Sequence, residues 1–316
     1  MGMIVIKRLS EIDFADGREV VATIGNFDGL HRGHQAIMKR VTDRARQLGG
    51  WAAVISFHPH PLRVIRPERA PRLMLTGAQK AALLEEMGID VFVMIPFDGS
   101  LADMPAEAFI REILVDGVGV REIYVGPDFR FGRGRAGDVA LLGKLGEELG
   151  FSAEGIAPVM DQGQRISASA IRQLLTAGDA DQAARLLGRP FTLVGTIVHG
   201  EGRGGSLLVP TANLAPENQF LPARGVYVTR TLWSGKRILG LTNIGIRPTF
   251  GYRRIVVETH LMEFRGDIYG ERVELEVLHR LREERKFSSA EELKRQIERD
   301  IEEFTRWRRE APADHA

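Results

Sequence analysis

Gly25-Asn26-Phe27-Asp28-Gly29-Leu30-His31-Arg32-Gly33-His34 stands directly after an apolar run, Val20 to Ile24, and opens a long helical pattern, Gly33 to Leu48. Glycines let a backbone turn tightly against a bound phosphate, and the helix that follows offers unpaired N–H groups and the positive end of its dipole. Two imidazoles three residues apart at that opening can donate hydrogen bonds to phosphate oxygens as negative charge develops. The plainer reading is that His31 and His34 cap or line a turn. Two histidines, two flanking glycines and a strand-to-helix context coincide here, and together they point to a phosphate site.

Outward from this block, short apolar runs alternate with helical patterns. Strands are predicted over Val20 to Ile24, Ala52 to Phe57, Val91 to Ile95 and Glu122 to Val125. Helices are predicted over Gly33 to Leu48, Ala78 to Met87, Pro105 to Val115 and Asp138 to Leu149, with Pro105 in a first turn. This succession is that of an α/β domain with a parallel sheet and crossover helices, whose ligands bind at the carboxyl ends of the strands. After Gly188-Arg189-Pro190 the rhythm changes to short strands between Gly, Pro and Asn turns: Thr192 to Val198, Val226 to Leu232, Lys236 to Thr242, Val256 to Met262 and Val273 to Leu278. A small antiparallel barrel is expected there, closed by one amphipathic helix from Ser288 to Trp307 capped by Ser288 or Ser289. The domains are read as 1–188 and 189–316.

A chain of 316 residues suits two such domains. Its 43 Lys plus Arg against 42 Asp plus Glu leave a formal charge of +1, so no global field favours nucleic acid or an anionic membrane. The absence of cysteine removes disulfides, thiolate nucleophiles and cysteine-ligated zinc, and is compatible with a reducing compartment. The first residues hold an apolar run far shorter than a signal peptide needs, and no later segment approaches a spanning helix. A soluble cytoplasmic protein is expected, with small-molecule partners; a homo-oligomer is compatible with the sequence.

A second constellation, His199-Gly200-Glu201-Gly202-Arg203-Gly204-Gly205 and then Pro210-Thr211-Ala212-Asn213, falls between the first barrel strands. Its glycines permit close approach to phosphate, and Thr211 and Asn213 offer hard oxygens suited to a magnesium ion that keeps several waters. An ordinary turn is the alternative. Two GxGxxG spellings, Gly132 to Gly137 and Gly200 to Gly205, lack the strand-to-helix setting of a dinucleotide fold.

The blocks GNFDGLHRGHQ, FHPHP (Phe57 to Pro61), VGPDFRFGRGRAG (Val125 to Gly137), ISASAIR (Ile166 to Arg172), PTAN, TNIGIRPTFG (Thr242 to Gly251), VETH (Val257 to His260), DIYG (Asp267 to Gly270) and RLREERKF (Arg280 to Phe287) occur in one order. In that order the chain resembles bacterial bifunctional riboflavin kinase/FAD synthetases. The resemblance implies two ATP-dependent reactions, phosphorylation of riboflavin to FMN and adenylylation of FMN to FAD, with Mg2+ as the metal. It implies that His31 and His34 are catalytic in the second reaction, with Gly25, Asn26, Phe27, Asp28 and Gly33 in the ATP loop. Ser167, Ser169 and Arg172 would form a second phosphate clamp, and Asp128, Phe129 and Arg130 would line the nucleotide or flavin region. In the kinase, Gly202, Gly204, Thr211 and Asn213 would bind ATP, Thr211 and Asn213 the metal, and Glu258 would be the catalytic carboxylate. Strand alternation by itself reads Glu258 as solvated. The chain departs from the family's usual pattern at His58, Ala168, Ala170, Gly205 and Leu208, which keeps open an enzyme with one working module.

Overall fold

The structure, a computed structural model, describes residues 2–12, 17–199, 211–249 and 252–311. The chain divides into two compact units, Met1–Ser167 and Ala168–Ala316.

In the first unit, β1 (Ile4–Ile6), β2 (Val20–Ile24), β3 (Trp51–His58), β4 (Val91–Pro96), β5 (Val120–Val125) and β6 (Ser152–Gly155) form one sheet in the order β1-β4-β3-β2-β5-β6. Every pairing is parallel. All five residues of β2 are buried, as a strand covered on both faces requires. Val20, Ala22 and Ile24 enter the apolar core on one face with Ile55, Val93 and Phe109; Val21 enters the other with Val54, Phe92 and the helix residues Met38 and Val41. The chain runs outward from β2 to β3 and β4, then crosses back to place β5 on the other side of β2. The carboxyl ends of β2 and β5 therefore flank the topological switch point, where open α/β sheets bind ligands.

The four predicted strands and the helices Arg32–Leu48, Gly77–Glu86 and Val139–Leu149 are present. The stretch from Pro105 differs: Pro105 is the N-cap, Ala106–Ala108 make one α-turn, and Phe109–Val115 continue as a π-helix burying Phe109, Ile110, Ile113 and Leu114. Edge strand β1 was too short to show a period, and its Ile4 and Val5 remain exposed. A small hairpin, β7 (Met160–Asp161) and β8 (Gln164–Arg165), closes the unit.

In the second unit, β9 (Phe191–Val198), β10 (Ala212–Pro216), β11 (Gly225–Trp233), β12 (Lys236–Thr249), β13 (Tyr252–Leu261) and β14 (Arg272–Glu283) form a closed barrel in the order β10-β13-β12-β11-β14-β9. Its pairings are antiparallel. The sequence reading placed a loop at β10. Paired to β9 on one side and β13 on the other, this five-residue strand closes the barrel. Inside, the buried hydroxyls of Thr229, Thr242 and Thr259 form a chain with separations of 2.7 and 2.9 Å, so these three polar groups are paired.

Outside, helix Ala290–Glu310 starts at Ser289, whose hydroxyl accepts the Glu292 N–H at 3.1 Å. Its Phe304 packs on Val226, Val228, Leu241 and Leu278. Asp300 accepts two hydrogen bonds from the Arg282 guanidinium, at 2.8 and 2.7 Å, which fixes the helix on the barrel wall. Helices Ala168–Ala177 and Ala180–Leu187 belong to this unit, where Arg280 donates to the Ala177 carbonyl and Asp181 pairs with His279 at 2.9 Å. No helix among the described residues is long and apolar enough to cross a membrane.

Candidate functional sites

At the end of β2 the Gly25 N–H donates to the Ile55 carbonyl at 3.0 Å, and the chain then leaves the sheet. Phe27, Gly29 and Leu30 take left-handed backbone conformations, with φ of 47°, 82° and 42°. Two of these are strained for side-chain-bearing residues and are held by burial of Phe27 and Leu30. Asp28 is buried and accepts the N–H groups of Met74, at 3.0 Å, and Leu75, at 3.2 Å. Its carboxylate thus anchors the loop to a distant segment.

The loop delivers His31 as the N-cap of Arg32–Leu48, and its Nδ1 accepts the His34 N–H at 3.3 Å. With Nδ1 an acceptor, Nε2 is the nitrogen that carries the proton of the neutral ring. The two imidazoles stack with centroids 3.7 Å apart, and the Phe27 ring meets His34 edge-on at 5.2 Å. Gly33 leaves room for this stack, because a Cβ there would stand 3.1 Å from the His31 ring and make that ring give way slightly. Burial first, then His31 and Lys80, push the His34 pKa well below 6.5, so this ring is neutral at pH 7. Its Nδ1 is buried without a hydrogen-bond partner. A neutral His34 imidazole at a helix opening can donate to a phosphate without a charge change of its own.

Because the sheet is parallel, the ends of β3 and β5 share this edge. The first carries His58, exposed. The second leads to Asp128, Phe129 and Arg130. Asp128 pairs with Arg165, Arg130 pairs with Asp138 at 3.2 Å, and Phe129 stacks on the buried Phe131 with centroids 5.4 Å apart. Gly132 to Gly137 form a tight turn closed by a Phe131–Gly137 bridge, with no helix opening from β5 itself; this is not a dinucleotide loop. Ser167 ends the first unit, while Ser169, exposed, and Arg172, half-buried, lie on the opening helix of the second.

On the barrel, Asn213 of β10 and Asn243 of β12 both pair in register with Glu258 of β13. Directly opposed residues point to one face, so the two carboxamides flank the carboxylate in a single row. Ala212 and Leu214 face the barrel interior, which turns Thr211 and Asn213 outward with Glu258 and His260. This face looks onto a cavity of about 400 Å3 between the barrel wall and helix Ala290–Glu310, where Thr211, Asn243, Glu258 and Arg282 meet the apolar Phe287, Leu293 and Ile297. Glu258 is half-buried in that cavity instead of lying on an open solvated strand. Thr211 and His260 also border a second cavity, of about 430 Å3, with Phe264, Asp267 and Tyr269. There the Tyr269 ring stacks on His199, centroids 3.9 Å apart. Gly202 and Gly204, with Gly205 and Leu208, lie outside the described residues.

Sequence reasoning passed over Asn243, the Arg282–Asp300 pair and Lys80. Asn243 became visible only through strand register. Lys80, whose Nζ donates to the Asn26 carbonyl at 2.7 Å, sat unremarked in a predicted helix. No group of three or more His, Cys, Asp or Glu side chains suited to a metal occurs among the described residues.

Residues 13–170 match the family model for FAD synthetase and residues 187–308 that for riboflavin kinase. The chain is 42% identical to the bifunctional riboflavin kinase/FMN adenylyltransferase of Pseudomonas fluorescens, over 90% of this chain and 91% of that protein. It is 38% identical to the protein of the same name from Escherichia coli K12, over 94% and 96% of the two chains. Among solved structures it resembles one titled a macrolide-efflux protein from Streptococcus pneumoniae, with a TM-score of 0.84 and 28% identity over 96% of this chain and 98% of that one.

Proposed function

From the premise that the chain belongs to the bifunctional riboflavin kinase/FMN adenylyltransferase family, and so makes FMN from riboflavin and FAD from FMN with ATP, we propose how its residues divide the two reactions. We put the functional division at Gly188; a helix ending there in a left-handed glycine, three residues before β9 begins, supports this reading.

Adenylyl transfer takes place at the β2 loop. Gly25, Asn26, Phe27, Asp28 and Gly33 shape the ATP cradle, and His31 and His34 hydrogen-bond the α-phosphate as its charge grows. Ser167, Ser169 and Arg172 supply a second clamp, and Asp128, Phe129 and Arg130 line the nucleotide or flavin region. The stacked imidazole pair at a helix opening on the switch point, with His34 held neutral by burial, is the observation that carries this reading.

Phosphorylation takes place on the outer face of the barrel. Riboflavin lies in the cavity under helix Ala290–Glu310, its ring against the apolar wall, and ATP lies in the neighbouring cavity; Thr211 and His260 border both. Glu258 accepts the proton of the ribityl hydroxyl as that oxygen attacks the γ-phosphorus. Thr211 and Asn213 face outward beside Glu258, and this set of hard oxygens fits a magnesium ion that retains waters. When bound, such an ion offsets phosphate charge. Gly202 and Gly204 complete the ATP contacts in this reading. Incubation with riboflavin, ATP and magnesium, resolved by chromatography, should yield FMN and then FAD. Thr211→Val should raise the magnesium concentration needed for FMN formation only; an unchanged requirement would remove Thr211 from the metal site.

A further inference from the structure

Helix Gly77–Glu86 opens with a reciprocal cap: Thr76 Oγ1 accepts the Gln79 N–H at 3.1 Å, and the Gln79 side chain accepts the Thr76 N–H at 3.0 Å. The first turn then carries Lys80, whose own N–H reaches the Thr76 carbonyl at 3.0 Å. A cation is disfavoured there, since the helix dipole is positive at this end. Lys80 is also half-buried, and burial lowers its pKa. Among the described residues no carboxylate makes an ion pair with it. Asp28 acts on it only through space and accepts the N–H groups of Met74 and Leu75.

Among the described residues the one hydrogen bond of the Lys80 ammonium goes to the Asn26 carbonyl, inside the loop that presents His31 and His34. The ammonium lies close enough to His34 to depress that imidazole's pKa. It carries three donors, so two remain for a ligand. The loop's other cation, Arg32, is paired with Asp161 at 3.4 Å. A partly desolvated cation with no ion-pair contact among the described residues costs stability until an anion arrives, and at a phosphate loop this is the signature of a binding group.

We infer that Lys80 binds the β- and γ-phosphates of the ATP used in adenylyl transfer and stays on the pyrophosphate that leaves. The inference rests on the proposed assignment of that reaction to His31 and His34. In the step, an oxygen of the FMN phosphate bonds to the α-phosphorus, the bond from that phosphorus to the bridging oxygen breaks, and pyrophosphate departs with the electron pair. Lys80 remains protonated and donates to the departing oxygens. The imidazoles supply directed hydrogen bonds, the buried His34 as a neutral ring, and Lys80 supplies fixed charge.

The test is the reverse reaction, FAD plus pyrophosphate giving FMN plus ATP, run on the full chain. Lys80→Met should raise the KM for pyrophosphate by roughly 10- to 100-fold, the loss of one charge-assisted contact, and leave the KM for FAD nearly unchanged. Lys80→Arg should recover part of the loss, and riboflavin phosphorylation should continue at the parental rate in both. An unchanged pyrophosphate KM in Lys80→Met overturns the inference. So does a parallel rise in both KM values with no rescue by Arg, which is what a mere prop for the Asn26 carbonyl would give. Lys80→Gln serves where Lys80→Met does not fold. His34→Ala run alongside separates the two levels: if it keeps FAD formation, the assignment of the site fails; if it loses FAD formation while Lys80→Met binds pyrophosphate normally, only Lys80 is excluded.

Discussion

At the end of β2, the consecutive residues Gly25 to His34 supply the turn, the cap and both imidazoles. On the barrel, Asn213, Asn243 and Glu258 come from three strands and stand in one row only because the register aligns them. The first site is held by its own backbone conformation, fastened at Asp28. The second exists only while the barrel is closed and its outer helix is seated. Local damage should therefore disable the first site without unfolding anything distant, whereas the second should be sensitive to changes well outside its reacting groups.

The largest effect is expected at the helix seat. Arg282→Met strips the buried Asp300 of its guanidinium and should cost about 3 to 5 kcal/mol, because a charge is left buried with, among the described residues, only the Gln296 amide to meet it. Chemical denaturation measures this, and FMN formation should fail at temperatures where FAD formation from FMN persists. Simultaneous loss of both would break the contrast. Gly132→Ala is the corresponding change in the first unit: φ is +70° and a Cβ would come within 2.6 Å of the Ala106 backbone. It should cost about 1 to 3 kcal/mol and spare FMN formation, measured by denaturation and product analysis.

The smallest effect concerns pH and has opposite signs in the two units. His34 has its pKa lowered below 6.5, so as pH falls through that value the unfolded chain binds more protons and the first unit loses stability. His279 has its pKa raised, first by its hydrogen bond to Asp181, so its stabilisation is complete below 6.5 and is lost as pH rises through the raised value. The His279 contribution should stay within about 1 kcal/mol, since that pair is half-exposed and screened. Hydrogen exchange at several pH values should show protection near His34 falling in acid and protection near His279 rising; the same direction in both would contradict the assignments.

The contrast in construction also explains what could be read without coordinates. Gly25 to His34 was legible because strand, turn, cap and helix follow one another along the chain. The row on the barrel was not, since nothing in PTAN announces a strand paired on both sides, and the distance from Asn243 to Glu258 along the chain says nothing of their shared face. Glu258 could be named only through family resemblance, and alternation by itself read it as solvated. Lys80 escaped because a lysine in a helical pattern is ordinary; its oddity lies in burial without an ion-pair contact among the described residues, which only packing reveals. The π-helix at Phe109–Val115 was hidden because its apolar residues also fit an α-helical pattern.

The central claim is that two independent sites share one chain, and one assay addresses it: riboflavin to FMN and FMN to FAD, each followed separately in His34→Ala and in Glu258→Gln. His34→Ala should slow FAD formation by roughly 10²- to 10³-fold and leave FMN formation at the parental rate. Glu258→Gln should slow FMN formation by roughly 10²- to 10⁴-fold and leave adenylylation of supplied FMN intact. Equal damage to both reactions by either variant, or a Glu258→Gln chain that phosphorylates riboflavin at the parental rate, would contradict the account.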